Sequence, residues 1–294
     1  MKKRFSALTA IILAIGNIAA AQDFDDTGIP ALKGFSITID GGATLASKHH
    51  AGFYDGNPDN PNTINRVLHS ESFGTQIWNS LVDQGKISPS AIQNYHQLQV
   101  AEYGEMRYDV SFQVGIGFRY DMAENNALFI RFDYSKLTAK GGFNLYSGAS
   151  TSILSNTDKY ISCGIVGTES RTYIDFGFSK SFPITDRLHF AINLGLNINN
   201  YHVLSNDIEV AGTSYSILDV WNGESPTAYT ATYEYYQTGI GYGGFATPCL
   251  RYMFPNSMAV DLGVTAYYNK INLPGHDSFK PQFTLFARFI MNNL

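Results

Sequence analysis

The chain has 294 residues, of which 15% are charged and 14% aromatic, with 27 glycines and a formal net charge of -5. The charged fraction is well below the roughly 25% of an ordinary soluble domain. The acidic balance also lacks the basic patch that nucleic-acid binding requires, so nucleic acid is excluded as a partner.

The N-terminus has the three parts of a cleavable export signal. Basic residues Lys2 to Arg4 precede a short apolar run from Ala7 to Ile18, and the small residues Ala19 to Ala21 form a signal-peptidase pattern. The apolar run is too short for a comfortable membrane span of about 20 residues. The sequence therefore predicts a signal peptide over 1–21 and a periplasmic segment over 22–33.

Alternation of apolar and polar residues predicts eight amphipathic strands after residue 33. In "DVSFQVGIGFRY" the even positions from Val110 to Tyr120 form an unbroken apolar face, which suits a membrane-barrel strand of about 9 to 11 residues. This stretch is the second predicted strand, and "GFSITIDGGAT" is the first. The six that follow are, in chain order, "ALFIRFDYS", "TYIDFGFSKSF", "RLHFAINLGLNINN", "TGIGYGGFATPCLRYMF", "SMAVDLGVTAYY" and "QFTLFARFIMNNL". Pro248 in the sixth strand lacks an amide donor, so we expect a bulge or kink there.

The connections between these strands alternate between long and short. Long ones span 47–106, 140–169 and 202–237, whereas tight turns follow the second, fourth and sixth strands. Bacterial outer-membrane barrels have short periplasmic turns and long extracellular loops. The pattern predicts an all-β, antiparallel up-and-down transmembrane barrel over 34–294, with both termini in the periplasm.

Two features of this architecture stay open at the level of sequence. Further strands could lie in "DKYISCGIV" and "AYTATYEYY", or these stretches could merely extend the fourth and sixth strands. Cys163 and Cys249 form at most one disulfide, and we expect two free thiols.

The charged residues of the strands fall on the face opposite the apolar one. An eight-stranded barrel is just wide enough inside for side chains to fill it. We therefore expect Asp and Arg on neighbouring strands to pair as a polar core, with a continuous pore as the alternative. The predicted interior residues are Asp40, Asp109, Arg119, Arg131, Asp133, Asp175, Asp261 and Arg288.

The aromatic terminal strand "QFTLFARFIM", the export signal and the eight amphipathic strands resemble the small outer-membrane β-barrel superfamily, whose familiar members are the OmpA membrane domain and OmpX. The resemblance covers most of the mature chain and is one of pattern. It implies a location in the outer membrane of a Gram-negative bacterium, in contact with lipid and lipopolysaccharide. The ending "IMNNL" and the enlarged loops depart from the family pattern.

The stretch "HHAGFYDGNPDNPNTIN" in the first long loop has the residues of a calcium site without its spacing. Asp55, Asn57 and Asp59 alternate as in a calcium loop, but Asn60 stands at the sixth position and Arg66 at the twelfth. A calcium loop requires Gly and Glu there. The stretch therefore predicts a turn cluster, since Asn, Asp, Pro and Gly are ordinary turn formers.

Four histidines, His49, His50, His202 and His276, map near the outer rim. No carboxylate or cysteine spacing supports a zinc or haem site around them, so we expect no metal and no cofactor. His202 or His276 could serve a lipid- or peptide-modifying barrel enzyme, although no Ser or Asp is tied to either by spacing.

The same long loop also carries a helical pattern. In "SESFGTQIWNSLVDQG" a serine, Ser70 or Ser72, is placed to cap the start and Gly85 the end, and "SPSAIQNYHQL" repeats the logic with Ser88 as cap. This predicts a helical hairpin within 47–106. Its apolar stripe either packs as a lid on the barrel mouth or docks another protein.

The leading functional hypothesis is a non-enzymatic scaffold that binds another envelope or cell-surface protein through its loops. Aromatic residues are frequent anchors at interfaces, and the predicted docking residues are Phe73, Ile77, Trp78, Leu81, Tyr233 and Tyr235. The alternatives are a small pore or transport channel, a barrel-embedded enzyme, and purely structural support of the membrane.

Overall fold

The computed structural model describes residues 32–60, 62–122, 125–148, 159–218, 238–255 and 258–292. Its strands are β1 (Gly34–Leu45), β2 (Val100–Tyr103), β3 (Arg107–Tyr108), β4 (Ser111–Asp121), β5 (Asn126–Tyr146), β6 (Tyr160–Pro183), β7 (Leu188–Val210), β8 (Thr213–Ser216), β9 (Thr238–Met253), β10 (Met258–Lys270) and β11 (Lys280–Asn292). Its helices are α1 (Lys48–Ala51), α2 (Ile64–Leu68) and α3 (Glu71–Asp83), with 3-10 turns at Gly52–Tyr54 and Tyr95–Gln97. The export signal and most of the segment 22–33 lie outside the described residues.

Eight of these strands close into a ring. Their spatial order is β5-β4-β1-β11-β10-β9-β7-β6, and β5 pairs with β6 to complete the circle. Every pair is antiparallel, and each strand lies beside its neighbour in sequence among the ring strands. The predicted up-and-down barrel is confirmed. Of the two doubtful stretches, "DKYISCGIV" extends β6, and "AYTATYEYY" lies outside the described residues.

The outward side chains of the ring form an apolar belt. On β4, for example, Phe112, Ile116 and Phe118 are each about half exposed or more. Aromatic pairs border the belt at both ends, with Phe35 against Tyr120 at the end of the short turns. Because a soluble protein rarely exposes so large an apolar surface, this belt faces lipid, as in a transmembrane barrel. None of the helices in the described part of the chain has the length and hydrophobicity to cross a membrane.

The register across Pro248 differs from the expectation. β9 pairs with β7 in a single register, with Ile192 opposite Pro248, and its pairing with β10 resumes unshifted beyond an interruption at 247–248. The ladder therefore has no bulge at Pro248, whereas the alternative expectation of a kink there stays a prediction. The Thr247 hydroxyl donates to Thr265 Oγ1 at 3.0 Å, which ties the two strands together where the ladder is interrupted. A register shift lies instead between β6 and β7 at Thr168 and Glu169.

Beyond the belt, β5, β6 and β7 continue on the side opposite the short turns. β2 and β3 pair with β5, and β8 pairs with β7, so the extended strands form a wider sheet. The helices between β1 and β4 pack on its inner face and enclose a hydrophobic core. We call this region the cap; it comprises the described residues within 46–110, 136–172, 199–218 and 271–279.

The helical hairpin is present only in its first half. α3 begins where predicted, because the Ser70 hydroxyl accepts a hydrogen bond from the Phe73 amide at 3.1 Å. The second segment forms a turn after Ser88 and a 3-10 turn over Tyr95–Gln97. Asn94 ends any continuous helix, since its backbone is extended and its side chain caps the His96 amide.

Candidate functional site: the cap and the lumen beneath it

The lumen nearest the short turns is crossed by arginine–carboxylate pairs. Arg119 donates to both carboxylate oxygens of Asp121 at 2.8–3.0 Å. Arg251 forms a second forked pair with Asp261, at 2.7 and 2.9 Å. Arg288 lies farther from its carboxylates, with its nearest nitrogen 3.8 Å from Asp40. Forked pairs of this kind fix both partners in place.

A second layer lies at the middle of the barrel. Arg131 donates to Asp133 at 2.6 Å and also to Asp175. The Tyr267 hydroxyl donates to the same Asp175 at 2.8 Å, and the Tyr267 ring stacks on Tyr173 with centroids 5.6 Å apart. Charged groups and rings thus fill the width of the barrel at this level.

The structure places seven of the eight predicted interior charges in buried positions within the lumen: Asp40, Arg119, Arg131, Asp133, Asp175, Asp261 and Arg288. The prediction for Asp109 is wrong. Asp109 precedes β4 at the rim, is about half exposed, and pairs with Lys140 at 2.7 Å. Asp109 has the same parity as the inward residues of β4. It lies before that strand begins, however, so the parity does not place its side chain in the lumen.

Among the described residues, the sequence reasoning missed four buried charges: Asp121, Glu169, Arg171 and Arg251. All four have the inward parity of their strands, so continuing the alternation to the strand ends would have identified them. Glu169 and Arg171 fell beyond the predicted start of the fourth strand, because the outward residues stop being apolar at Thr172.

Glu169 and Arg171 form the junction between lumen and cap. Both side chains are fully buried, and Arg171 Nε donates to Glu169 at 2.5 Å. The Tyr54 hydroxyl of the cap donates to the other oxygen of Glu169 at 2.5 Å. Burial and the Glu169 charge raise the pKa of Tyr54, so the phenol stays protonated and donates. Arg171 also donates to Gln282 at 3.0 Å, which ties the junction to β11.

The predicted docking residues on α3 form part of the cap core. Ile77 and Leu81 are fully buried, and the Phe73 ring lies 5.7 Å from that of Tyr215. The Trp78 indole donates to the Ile92 carbonyl at 3.0 Å. This part of the docking prediction is wrong, because the stripe packs against the loop and the extended strands. Tyr233 and Tyr235 lie outside the described residues.

Three histidines form a seam between the first loop and the β10–β11 connection. His49 Nε2 lies 2.8 Å from the Ser278 hydroxyl, and His50 Nε2 lies 3.3 Å from the Ser278 carbonyl. His276 Nδ1 lies 3.0 Å from the His49 carbonyl, and its Nε2 lies 3.1 Å from Asn60 Oδ1. The seam holds the two loops together across the mouth of the barrel.

Burial lowers the pKa of two seam histidines. Desolvation, aided by the Arg171 charge, lowers the pKa of His50 to about 3, so this ring is neutral near pH 7. Desolvation and Lys280 also lower the pKa of His49. His202 lies elsewhere, exposed on the outward face of β7. Within the described ranges no group of three or more His, Cys, Asp or Glu side chains is arranged to hold a metal ion.

The calcium-like stretch is a turn cluster in the structure. Asp55 Oδ1 accepts from the Asn57 amide at 2.8 Å and from Asn60 Nδ2 at 2.6 Å. Asn57 repeats the pattern with the Asp59 amide at 3.3 Å. The oxygens that a cation would need are therefore used to hold the backbone turn.

Cys163 and Cys249 are both buried and unpaired, so no disulfide joins them. Cys163 lies in the cap part of β6, and burial raises the pKa of its thiol to about 12. A thiol in this state is inert as a nucleophile.

An open groove beside the histidine seam has a volume of about 380 Å³. We call it the groove; it is lined by Lys48, His49, Gly52, Asp55, Tyr103, Gly104, Glu105, Met106 and His276. A second cavity of about 380 Å³ opens at the end of the short turns, over Arg119, Asp121 and Arg251. The lumen layers separate these two openings.

No model of a known protein family matches the sequence, and no curated protein matches it either. Similar solved structures include Neisserial surface protein A, at 12% identity and a TM-score of 0.37 over 90% of this chain and 100% of that one. Ail of Yersinia pestis, in complex with the heparin analogue sucrose octasulfate, aligns at 11% identity and a TM-score of 0.36 over 88% of this chain and 99% of that one. OprG of Pseudomonas aeruginosa aligns at 10% identity and a TM-score of 0.31 over 88% and 94%. At these identities and TM-scores the likeness is distant.

Proposed function

We propose that this outer-membrane β-barrel is a non-enzymatic scaffold that presents its cap to another envelope or cell-surface protein. The observation that carries the proposal is the cap itself. It has a hydrophobic core of its own, and that core is anchored to the barrel through the buried Tyr54, Glu169 and Arg171.

The contents of the lumen support a binding role over transport. Forked arginine–carboxylate pairs occupy the end near the turns, and Arg131, Asp175 and Tyr267 fill the middle. Opening a path would leave buried charges without partners, which costs about 3–5 kcal/mol for each broken pair. Such a lumen suits a rigid anchor for the cap.

The groove is the part of the cap best suited to contact a partner. Tyr103 and Glu105 stand at its edge, and Lys48 pairs with Glu105 at 2.5 Å between two side chains that are both more than half exposed. Tyrosine and charged side chains at a concave surface are typical of interface anchors and rims. We therefore place the docking face at the groove and not on the apolar stripe of α3.

The test is crosslinking in native outer membranes, followed by co-purification. The groove variant combines Tyr103→Ala with Glu105→Ala, and the matched control combines Gln76→Ala with Asn79→Ala on the exposed face of α3. We expect a partner that is captured by the wild type and the control and is reduced about tenfold or more by the groove variant, since anchor truncations cost about 1–3 kcal/mol. Heat-dependent gel mobility checks that each variant is folded and inserted.

Two outcomes would contradict the proposal. Equal capture by all three proteins would place the contact away from the groove. Absence of any captured partner, together with steady single-channel conductance in a planar bilayer, would favour the pore. Deleting the first loop is a poorer test, because it removes much of the cap core and would perturb both readouts.

A further inference from the structure

The cavity at the end of the short turns begins where the described chain begins. It has a volume of about 380 Å³ and opens at the end of the barrel opposite the cap. We call it the turn-end cavity; it lies between Leu32 and the inward side chains of Arg119, Ser181, His189 and Arg251. One wall of the cavity is thus the first described residue of the chain.

Leu32 and Lys33 are fixed at the edge of this cavity. The Leu32 side chain packs against a buried cluster that includes Met253 and Ile290. The Lys33 carbonyl accepts a hydrogen bond from Asn292 Nδ2 at 3.1 Å. These contacts hold the entering chain against β9 and β11, so the residues before Leu32 start from the cavity wall.

The direction of the entering chain is set at Gly34, the first residue of β1. Its φ is +80°, whereas a Cβ built on it would meet no atom within 4 Å. The position therefore requires glycine for its backbone conformation and not for lack of space. This left-handed residue ends the extended course of β1, and Leu32 lies in the cavity wall on the other side of the turn.

We propose that the turn-end cavity is a docking site for this chain's own N-terminal segment, residues 22–31, which lead directly to Leu32 and lie outside the described residues. Fully extended, the segment would span roughly 30 Å, so its length does not limit which part of the cavity it reaches. Its tether gives it an effective concentration on the order of mM. A separate molecule of equal affinity would need that concentration to displace it. This inference does not depend on what the cap binds.

The chemistry of the cavity suits a peptide with apolar anchors. Arg119 and Arg251 are already held in forked pairs with carboxylates, so they need no ionic partner. The rest of the wall combines apolar side chains with polar ones, among them Leu32, Pro183, Met253, Asn125, Ser181 and Thr185. The segment "QDFDDTGIPA" carries Phe24 and Ile29. We expect these two side chains to supply the apolar contacts.

The first test measures whether the cavity is filled. A reporter thiol, His189→Cys, is introduced at a half-buried position of its wall. The protein is folded in lipid bilayers and labelled with N-ethylmaleimide, which is uncharged. A cavity that is filled nine-tenths of the time exposes the thiol for the remaining tenth, so we expect deletion of 24–30 to speed labelling about tenfold.

Two controls accompany this comparison. Pro255→Cys, exposed in the β9–β10 turn and outside the cavity wall, should label equally fast with and without the deletion. The buried Cys163 and Cys249 give the background in a protein without an added thiol. Heat-dependent gel mobility checks that each variant is folded. Equal labelling of His189→Cys in the intact and the shortened chain would overturn the inference.

The second test leaves the segment intact and changes only the turn that directs it. Gly34→Val puts a β-branched residue at a positive φ, which strongly disfavours that conformation. We expect the labelling of His189→Cys to rise as it does on deletion. Gly212→Val is the matched control, since Gly212 has a φ of +81° and equally open surroundings in the cap. Full protection of the thiol in Gly34→Val would contradict the role of the turn.

The third test identifies the occupant. A synthetic peptide with the sequence of 22–31, added at about 1 mM to the shortened chain, should restore protection of His189→Cys. A scrambled peptide of the same composition should not. Protection restored by periplasmic extract and not by the peptide would assign the cavity to a separate molecule and would refute the proposal.

Discussion

Three strands, β5, β6 and β7, run from the barrel into the cap, and the apolar and polar faces of β5 exchange places between the two regions. On β5 the inward residue Asp133 is charged and the outward Tyr134 faces lipid. A few residues farther on, the inward Leu137 is fully buried in the cap and the outward Lys136 is exposed. The hydrogen-bonded pairing of β5 with β6 continues through this change without a shift.

The inversion shows that alternation decides which face a residue occupies, whereas the surroundings decide which chemistry suits that face. Lipid outside the belt leaves the polar residues to pair within a narrow lumen. The outer face of the cap meets water, so there the polar side chains point outward and burial of the apolar ones stabilises the interior. The Glu169–Arg171 pair lies at the boundary between the polar lumen and the apolar core of the cap.

The largest effect should come from breaking that junction. Arg171→Leu leaves Glu169 as a buried charge without its partner, which we expect to destabilise the cap by about 3–5 kcal/mol. The measurement is urea unfolding followed by the fluorescence of Trp78 in a Trp221→Phe background. Heat-dependent gel mobility follows the barrel separately, and we expect it to change less.

Two further variants define the cause of this loss. Lys140→Ala breaks the exposed pair with Asp109 and should cost less than about 1 kcal/mol. Adding Glu169→Leu to Arg171→Leu removes the orphaned charge and should restore much of the stability. A double variant as unstable as the single one would mean that Tyr54 and Gln282, and not the charge pair, hold the cap.

A smaller effect should come from close packing against β6, where two glycines of the cap differ in the space around them. A Cβ at Gly167 would lie 2.2–2.7 Å from ring and Cβ atoms of Tyr54, whereas one at Gly164 would first meet Glu209 Cβ at an ordinary 3.5 Å. We expect Gly167→Ala to destabilise the cap by about 1–3 kcal/mol through overpacking. Gly164→Ala should have little effect in the same urea experiment. Equal effects of the two would mean that the close seat of Tyr54 on β6 is unimportant.

The barrel could be predicted from the sequence because lipid exposure enforces long, regular strands. The inward and outward faces follow from a period of two, and buried charges such as Arg131 and Asp175 fall on the inward one. Asp109 has the same parity, but the chain leaves the ring before β4 and the rule no longer applies.

The cap could not be predicted in the same way, because its form depends on contacts between distant segments. Once the outward residues become polar at Thr172, the alternation resembles that of any strand with one apolar face. The local sequence correctly predicts a helix at Ile77 and Leu81, but it does not identify the distant residues that bury their side chains. The seam of His49 and His276 brings together residues more than two hundred positions apart, which one sequence cannot show.

The smallest effect concerns the acid side of cap stability. Burial holds the pKa of His50 near 3, below the ordinary histidine value of about 6.5, so the folded cap favours the neutral ring. A histidine whose folded pKa is lowered contributes stability that is present above pH 6.5 and is lost as the pH falls toward 3. At about pH 5.5 the loss should be no more than about 1.4 kcal/mol, since it reflects one proton over one pH unit. Urea unfolding of the cap at a series of pH values measures it, and His50→Gln should flatten the acid slope.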